Sequence, residues 1–365
     1  MAAPDESFVD FLEFASRASD LCSGKLYARV CPDRRRLLDR ENPMECYSND
    51  EFLLRYRFTK SSVLRILSEL SLECATDNRG HPLPSLLKLL ATLRFYGAGA
   101  FQTVIGDLVG ISQSATCNAI WTVTRRIASV LYPKYVRFPL ASEAASVMTR
   151  FYSIAGFQGV TGCIDCTHVP INSPGGMHAE VYRNRKGVFS INVQAITGPE
   201  LQFFDIVASW PGSVHDSRIF DNSRARVLYE EGMLPGILLG DQGYPCMPFL
   251  MTPLSDPRTQ AERRYNRSHI KTRNSVERAF GVWKRRFPCL RMKLQTRLER
   301  SAAFICACAA LHNIACVWND PCPMDNMQIQ EDEGPLSAIY PDVVLGAHMR
   351  RRLIENVFSR VQDDA

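Results

Sequence analysis

The stretch VTGCIDCTHVPI (residues 160–171) is typical of a buried strand, because it is apolar and rich in β-branched residues, and it carries one carboxylate, Asp165. Two alternating segments follow, FSINVQAIT (189–197) and LQFFDIVASW (201–210), and the tight Gly-Pro-Glu turn between them is typical of a β-hairpin. The short apolar run GILLGD (236–241) predicts a fourth strand. The middle of the chain is therefore expected to form a β-sheet.

Helices are predicted between and after these strands. A helix fits from Asp216 to Glu231, with Ser213 or Asp216 able to cap it. A long helix is expected to follow the fourth strand as far as Phe287, and another spans Leu298 to Val317. The order of three strands, helix, strand and helix predicts an α/β fold with a ribonuclease H-like core, in which a mixed sheet is flanked by helices.

Helical periodicity is regular ahead of the sheet, over residues 49–150. Within it, FQTVIGDLVGISQSATCNAIWTVTRRIASVLY (101–132) can form a short helix, a turn at Gly110 and a longer helix from about Ser112 to Leu131. This pattern resembles a helix-turn-helix, and an ordinary hairpin within an all-helical domain explains it equally well. In a helix-turn-helix, the residues facing the DNA groove would be Gln113, Ser114, Cys117 and Asn118.

The sequence divides into four parts on these patterns. Residues 1–48 form a poorly defined N-terminal segment, residues 49–150 the helical domain and residues 151–317 the sheet domain. The stretch from Trp318 to Pro341 has five acidic residues and no Lys or Arg, which predicts a mobile acidic linker. A helix from Leu345 to Val361 would close the chain.

Positive charge is concentrated in one segment. Residues 263–300 hold thirteen Lys and Arg against only Glu277 and Glu299, so this segment carries +11 where the whole chain carries +5. Such a block suits a phosphate backbone, although a helix with a solvated basic face has the same composition. The candidate DNA contacts within it are Arg273, Arg278, Lys284, Arg285 and Arg286.

Secreted and membrane proteins are not expected from this sequence. The N-terminus lacks the features of a secretory signal, and the apolar segment Ala302–Cys316 contains His312 and Asn313, which favours a buried helix over a membrane span. The thirteen cysteines should then be mostly reduced residues of the core.

Two groups of cysteines have the spacing of metal ligands. Cys163 and Cys166 form a CxxC pair, but residues three apart on a strand point to opposite faces, so they could not share a zinc ion. Cys308, His312 and Cys316 would line one side of a helix, yet three ligands leave zinc one short and the neighbours are apolar. Packing in the core is the preferred interpretation of both groups.

Three carboxylates, in contrast, indicate a metal site. Asp165 lies within an apolar strand and Asp241 ends another, and a carboxylate there is costly unless it is paired or binds a metal ion. Glu277 lies beside the apolar stripe of the long helix, where it could reach the sheet edge. Hard oxygen ligands suit Mg²⁺ or Mn²⁺, and two such ions about 4 Å apart can stabilise the attacking and leaving oxygens of phosphodiester cleavage.

Six strings occur in one order over roughly residues 150–317: GCIDCTHVPI, NRKGVFSINVQAI, WPGSVHDSRIF, LLGDQGYP, RYNRSHIKTRNSVERAFGVWKRRFPCL and ALHNIA. Together they resemble the PIF/Harbinger transposases and the nucleases derived from them. The resemblance implies a metal-dependent nuclease of the DDE class. By motif, it implies that the two Asp and the Glu of that class are Asp165, Asp241 and Glu277.

The resemblance also carries expectations about partners. Transposases of this family cut double-stranded DNA at terminal inverted repeats and insert at short A/T-rich targets. They work with a separate Myb-like protein that helps in DNA recognition and nuclear entry, so the nucleus is the expected location, with the cytoplasm occupied before import. Paired cutting at two ends favours a homodimer or larger assembly, and no membrane partner is expected.

Three further polar residues lie near the predicted site. His168 should point away from Asp165 on the strand, which favours a packing role or support of a ligand. His215 could contact DNA. For Asp216 the preferred interpretation is a helix cap, and the alternative is a contact with metal or substrate. The leading function is thus an active endonuclease, and the alternative is a domesticated DNA-binding or scaffold protein that has lost catalysis.

Overall fold

The computed structural model of the chain describes residues 42–72, 83–99, 112–323 and 342–359. Three predictions fall mostly outside these ranges. They concern the N-terminal segment, the first helix of the helix-turn-helix pattern, and most of the acidic linker.

The centre of the molecule is a five-stranded mixed sheet. Its strands, in chain order, are β1 (Val160–Pro170), β2 (Ser190–Thr197), β3 (Phe203–Pro211), β4 (Ile237–Leu239) and β5 (Leu250–Met251). The spatial order is β3-β2-β1-β4-β5, in which β2 is antiparallel to β1 and β3, whereas β4 is parallel to β1 and β5. All eight residues of β2 are buried, which fits a strand in the interior of a covered sheet.

Helices flank the sheet, as the sequence predicted. Those that follow the N-terminal helices are α7 (Ala141–Ala155), α8 (Asp216–Asp221), α9 (Arg224–Glu230), α10 (Gln260–Arg286), α11 (Leu298–Val317) and α12 (Val344–Leu353). Helices α7, α10 and α11 pack against the sheet, and α10 also contacts both α7 and α11. The fold is therefore α/β, with a mixed sheet between helices.

Helix α10 begins with a reciprocal cap. The side chain of Thr259 accepts from the backbone of Glu262, and the Glu262 carboxylate accepts from the backbone of Thr259. One face of the helix is buried through Val276, Phe280 and Trp283, at the spacing of three and four residues that the sequence shows. This packing fixes where the polar border of the helix meets the sheet.

The helices before the sheet follow the predicted periodicity. They are α1 (Pro43–Cys46), α2 (Asn49–Tyr56), α3 (Lys60–Leu70), α4 (Ser85–Ala98), α5 (Gln113–Arg126) and α6 (Tyr132–Tyr135), with a π-helical turn at Ile127–Leu131 between the last two. The predicted cap Ser112 accepts from the backbone of Ala115 at the start of α5. Helices α4 and α5 pack together, and the hydroxyls of Tyr96 and Thr124 lie 2.7 Å apart between them.

Some boundaries differ from the prediction. The helix expected from Asp216 to Glu231 is two helices, because the Ser223 side chain caps α9 after a break. The residue at the N-cap of α8 is His215, so the prediction that Ser213 or Asp216 caps this helix is wrong. Strand β5 was not predicted, since two residues carry no periodic pattern.

Helix α11 is apolar and long enough to cross a membrane, but 72% of its most apolar part is buried inside the protein. His312 Nε2 donates to the carbonyl of Leu201 at 2.8 Å. The side-chain amide of Asn313 accepts from the backbone N–H of Phe203 and donates to its carbonyl. These polar groups attach the helix to the sheet, so α11 is the buried helix that the sequence predicted.

The start of the predicted linker is packed rather than mobile, because residues 318–323 carry a buried ion pair. The Arg286 guanidinium, at the end of α10, lies 3.5 Å from Asp320, and both side chains are almost completely buried. It also donates to the carbonyl of Arg57, while Asp320 accepts from Thr59. This cluster connects the N-terminal helices to the sheet domain.

We expect Arg286→Ala to lower the free energy of unfolding by about 3 to 5 kcal/mol, because it leaves the Asp320 carboxylate buried without its cation. Chemical denaturation measures this decrease. The matched control is Arg278→Ala on the same helix, whose exposed side chain should change stability by less than about 0.5 kcal/mol. Equal stability of the two variants would contradict a structural role for Arg286.

Candidate active site

Asp165 and Asp241 lie side by side on the central strand β1 and just after the end of its neighbour β4. Strands β1 and β4 are parallel, with Cys163 paired to Leu239, and each aspartate lies two residues further along its own chain. Parallel chains advance together, so the two aspartates lie at the same level along their strands. The sequence had predicted both residues for the site, and their register brings them together.

A third aspartate belongs to the same region. Asp216, the first residue of α8, accepts a hydrogen bond of 2.9 Å from the side chain of Asn192 on β2. Burial raises the pKa of the Asp165 carboxyl to about 7, with repulsion from Asp241 and Asp216 adding to the effect and Arg273 opposing it. Burial likewise raises the pKa of Asp216. Asp216 is thus an acidic neighbour of the pair, and not the cap that the sequence suggested.

Glu277 reaches Asp165 through an arginine. Arg273 lies one turn before Glu277 on α10, and its guanidinium donates to Asp165 Oδ2 at 2.8 Å and to Glu277 Oε1. The side chains of Arg273 and Asp165 are each 17% exposed, and that of Glu277 is 50% exposed. The three predicted residues therefore surround one partly exposed region between α10 and the sheet, which we call the cleft, with a guanidinium between two of them.

The donor set has the chemistry of a site for Mg²⁺, since carboxylate oxygens are the hard ligands that this ion prefers. Over residues 42–72, 83–99, 112–323 and 342–359, however, no group of three or more His, Cys, Asp or Glu side chains is arranged to hold a metal ion. In this arrangement Arg273 donates to one oxygen of Asp165 and to one oxygen of Glu277.

The two histidines have different surroundings. His168 Nδ1 lies 3.0 Å from the hydroxyl of Ser190, and the His168 carbonyl accepts from Lys284. His215 is exposed, and its ring accepts a hydrogen bond of 2.6 Å from the guanidinium of Arg185, which lies in the loop before β2. Attraction to Arg185 also lowers the pKa of Asp216, against the effect of burial, so this arginine lies near the acidic group. Sequence patterns did not indicate Arg185 or Asn192, because their positions depend on the folded loops.

The basic segment is divided between the inside and the outside of the protein. Lys284 donates to the Thr167 hydroxyl at 2.6 Å, Arg285 is half-buried and Arg286 is only 3% exposed. Buried Arg286 cannot contact a phosphate, so its prediction as a DNA contact is wrong, and Arg273 is engaged by the two acids. Arg278 is exposed as expected.

One face of α10 is exposed and mostly basic. We call it the outer stripe: Arg263, Arg267, Lys271, Asn274 and Arg278. At 3.6 residues per turn these residues fall within about 80° of one another and extend over about 22 Å. Glu277 borders the outer stripe, so the positive surface runs up to the acidic cleft.

The helix proposed to read DNA bases is exposed at its N-terminal end. Gln113, Ser114 and Asn118 are exposed on α5, whereas Thr116 is buried and Cys117 is half-buried. Three of the four residues expected to face a DNA groove are therefore exposed to solvent. The preceding helix of the pattern lies outside the described residues.

Comparisons with known proteins show the family of the chain. Residues 164–313 match the family model described as DDE superfamily endonuclease, a span that contains Asp165, Asp241 and Glu277. The chain is 34% identical over 299 residues to "Putative nuclease HARBI1" of Rattus norvegicus, which covers 78% of this chain and 85% of that protein. The protein of the same name in Homo sapiens is 34% identical over 297 residues, covering 78% and 84%.

A plant relative is also similar. "Protein ALP1-like" of Arabidopsis thaliana is 28% identical over 259 residues, which is 66% of this chain and 62% of that protein. No solved structure matches the chain. The chain belongs to the DDE superfamily endonucleases, among the Harbinger-derived nucleases.

Without metal, we expect the stability of the protein relative to its Asp165→Asn variant to fall as pH rises from about 4 to about 7. The folded carboxyl, with a pKa of about 7, keeps a proton that the unfolded chain, with a pKa near 3.8, has already released. Folded molecules therefore bind more protons in this window, and stability declines with pH, levelling off above about 7. Buried His269 and His312 titrate in both proteins, so the comparison removes their contribution.

Denaturant titrations with a chelator from pH 5 to 8 measure this difference. A constant difference over the whole range would show that Asp165 ionises as an ordinary surface carboxyl does.

Proposed function

We propose that this chain is a metal-dependent DNA endonuclease of the DDE transposase type with a ribonuclease H-like core. It cuts phosphodiester bonds at transposon ends, and strand transfer can follow. The observation that carries the proposal is the level placement of Asp165 and Asp241 on adjacent parallel strands, with Glu277 facing them across the cleft.

Asp165, Asp241 and Glu277 are the residues proposed to hold the metal ions. Two divalent cations, Mg²⁺ or Mn²⁺, would supply charge stabilisation for the attacking and leaving oxygens. Asp165 is fixed for this role by the hydrogen bond that its Oδ1 accepts from the backbone of Cys166, and Asp241 by one from Gly243. Asp216 and His168 support the site from the neighbouring elements, and His215 with Arg185 borders it on the exposed side.

The outer stripe is the proposed track for double-stranded DNA. Its four cations are separated by about 6, 6 and 10 Å along α10. DNA presents one phosphate per 3.4 Å of axis on each strand, so 22 Å of helix spans about six phosphates. The stripe ends beside Glu277, which would bring the backbone to the acidic cleft.

The N-terminal helical region is proposed to read sequence. In this proposal α5 is the recognition helix of a helix-turn-helix, and exposed Gln113, Ser114 and Asn118 contact base edges. The DNA would be the terminal repeats of a transposon and an A/T-rich target.

The remaining proposals rest on the family. A Myb-like partner protein would assist DNA recognition and nuclear entry, and the protein would act in the nucleus after passing through the cytoplasm. Cutting at two transposon ends would need a homodimer or a larger assembly. No membrane partner is proposed.

A second candidate is a domesticated DNA-binding or scaffold protein without catalysis. The observation in its favour is that Arg273 lies between two of the three acids. Metal-dependent cleavage by the purified chain distinguishes the two candidates.

We expect Asp165→Asn, Asp241→Asn and Glu277→Gln each to abolish metal-dependent cleavage, because the amide keeps the shape and loses the charge that holds a divalent cation. Nicking of a duplex carrying candidate terminal repeats, in Mn²⁺ and in chelator, is the measurement. The control is Glu230→Gln, an exposed acid on α9 that should leave cleavage unchanged. Folded Asp165→Asn protein that still nicks, free of contaminating nuclease, rules the assignment out.

Replacing Arg263, Arg267 and Arg278 together by Ala should weaken binding to all DNA sequences. The slope of log affinity against log salt should flatten by about 0.9 for each phosphate that the protein no longer neutralises, up to about 2.7 for the three. Fluorescence anisotropy at several salt concentrations measures the slope. Arg150→Ala, an exposed cation on α7, serves as the control, and an unchanged slope in the triple variant would place the DNA elsewhere.

A further inference from the structure

Arg273 has contacts that neither a DNA-binding role nor simple packing requires. Its guanidinium joins two carboxylates from different elements, Asp165 on β1 and Glu277 on α10. Only 17% of its side chain is exposed, so the contacts are made inside the cleft. An arginine fork is rigid and planar, which allows one side chain to hold both acids at once.

The acids of the cleft need a counter-charge. Asp241 lies at the same level as Asp165 on the neighbouring parallel strand, so the two carboxylates are close together. Ionised carboxylates that crowd in a partly buried site repel one another unless a cation lies among them. In the protein without metal, the guanidinium of Arg273 contacts two acids of the cleft, Asp165 and Glu277, directly.

A metal ion held by Asp165 and Glu277 would share carboxylates that Arg273 already contacts. Asp165 Oδ2 and Glu277 Oε1 both accept from Arg273, and a guanidinium cannot give up its protons to make room for a second cation. A divalent ion beside a bound guanidinium would also be repelled by it.

The geometry points to Arg273 as an internal counter-cation that holds Asp165 and Glu277 together before metal binds and turns away when a divalent ion enters. Arg273 and the metal are thus alternative occupants of the same pair of carboxylates. This inference rests on the proposed function, because it takes these acids to be the metal ligands. Metal binding would therefore occur together with a movement of the Arg273 side chain.

A second arrangement would give the opposite result. If Arg273 stays in place and orients the acids for the metal, removing it weakens metal binding. If it competes, removing it strengthens metal binding. The sign of the change therefore separates the two arrangements.

The test is Mn²⁺ binding to the full chain at pH 8, followed by isothermal titration calorimetry, with no DNA present. We expect Arg273→Gln to bind Mn²⁺ at least tenfold more tightly than the parent, equivalent to about 1.4 kcal/mol. Arg273→Lys should fall between the two, since an ammonium keeps the charge but cannot span both acids as a fork does. Arg150→Gln, which removes an exposed cation of α7 outside the site, should bind as the parent does.

Thermal melting of the same proteins gives an independent readout. In chelator, Arg273→Gln should melt below the parent, because the acids have lost their counter-cation. Mn²⁺ should raise its melting temperature more than that of the parent. If the Gln variant does not fold, the Lys variant must still bind Mn²⁺ more tightly than the parent.

The outcomes separate this inference from the proposed function. Mn²⁺ binding by the parent that is unchanged or weakened in Arg273→Gln overturns the competition and leaves the metal site in place. Absence of binding in every protein, or binding that persists in Asp165→Asn, overturns the competition and the metal site together.

Discussion

The parallel pairing of β1 with β4 is the constraint on which the site depends. It sets Cys163 opposite Leu239, and so places Asp165 and Asp241 at one level on neighbouring chains. A shift of one residue in either strand would turn one aspartate to the other face of the sheet. Everything else at the cleft is arranged around that pair, including the helix that presents Glu277 and Arg273.

Much of this was accessible from the sequence. Alternation and β-branched residues predicted four of the five strands, and the apolar stripe of Val276, Phe280 and Trp283 predicted how α10 faces the sheet. Asp165 and Asp241 were recognisable because a carboxylate is rarely placed in or directly after an apolar strand without a function, and Glu277 because it borders the apolar stripe of α10. Sequence patterns predicted the structure correctly wherever a residue's surroundings are set by its neighbours along the chain.

The errors came from contacts between distant parts of the chain. The count of positive charges in residues 263–300 cannot show that Arg286 turns inward to Asp320, because that ion pair spans two elements and a loop. Asp216 looked like a cap because caps precede helices, whereas Asn192 on β2 is its actual partner. The ion pair of Arg273 with Asp165 joins residues 108 apart, and no spacing rule reports such a contact.

A divalent cation shared by Asp165 and Asp241 is the central claim about this protein. Crystals of the full chain grown with Mn²⁺ and measured at the manganese absorption edge would locate the ion directly. We predict an anomalous peak about 2 Å from a carboxylate oxygen of each aspartate. An ion bound elsewhere in well-ordered crystals, with the cleft between the two aspartates free of anomalous density at saturating Mn²⁺, would contradict it.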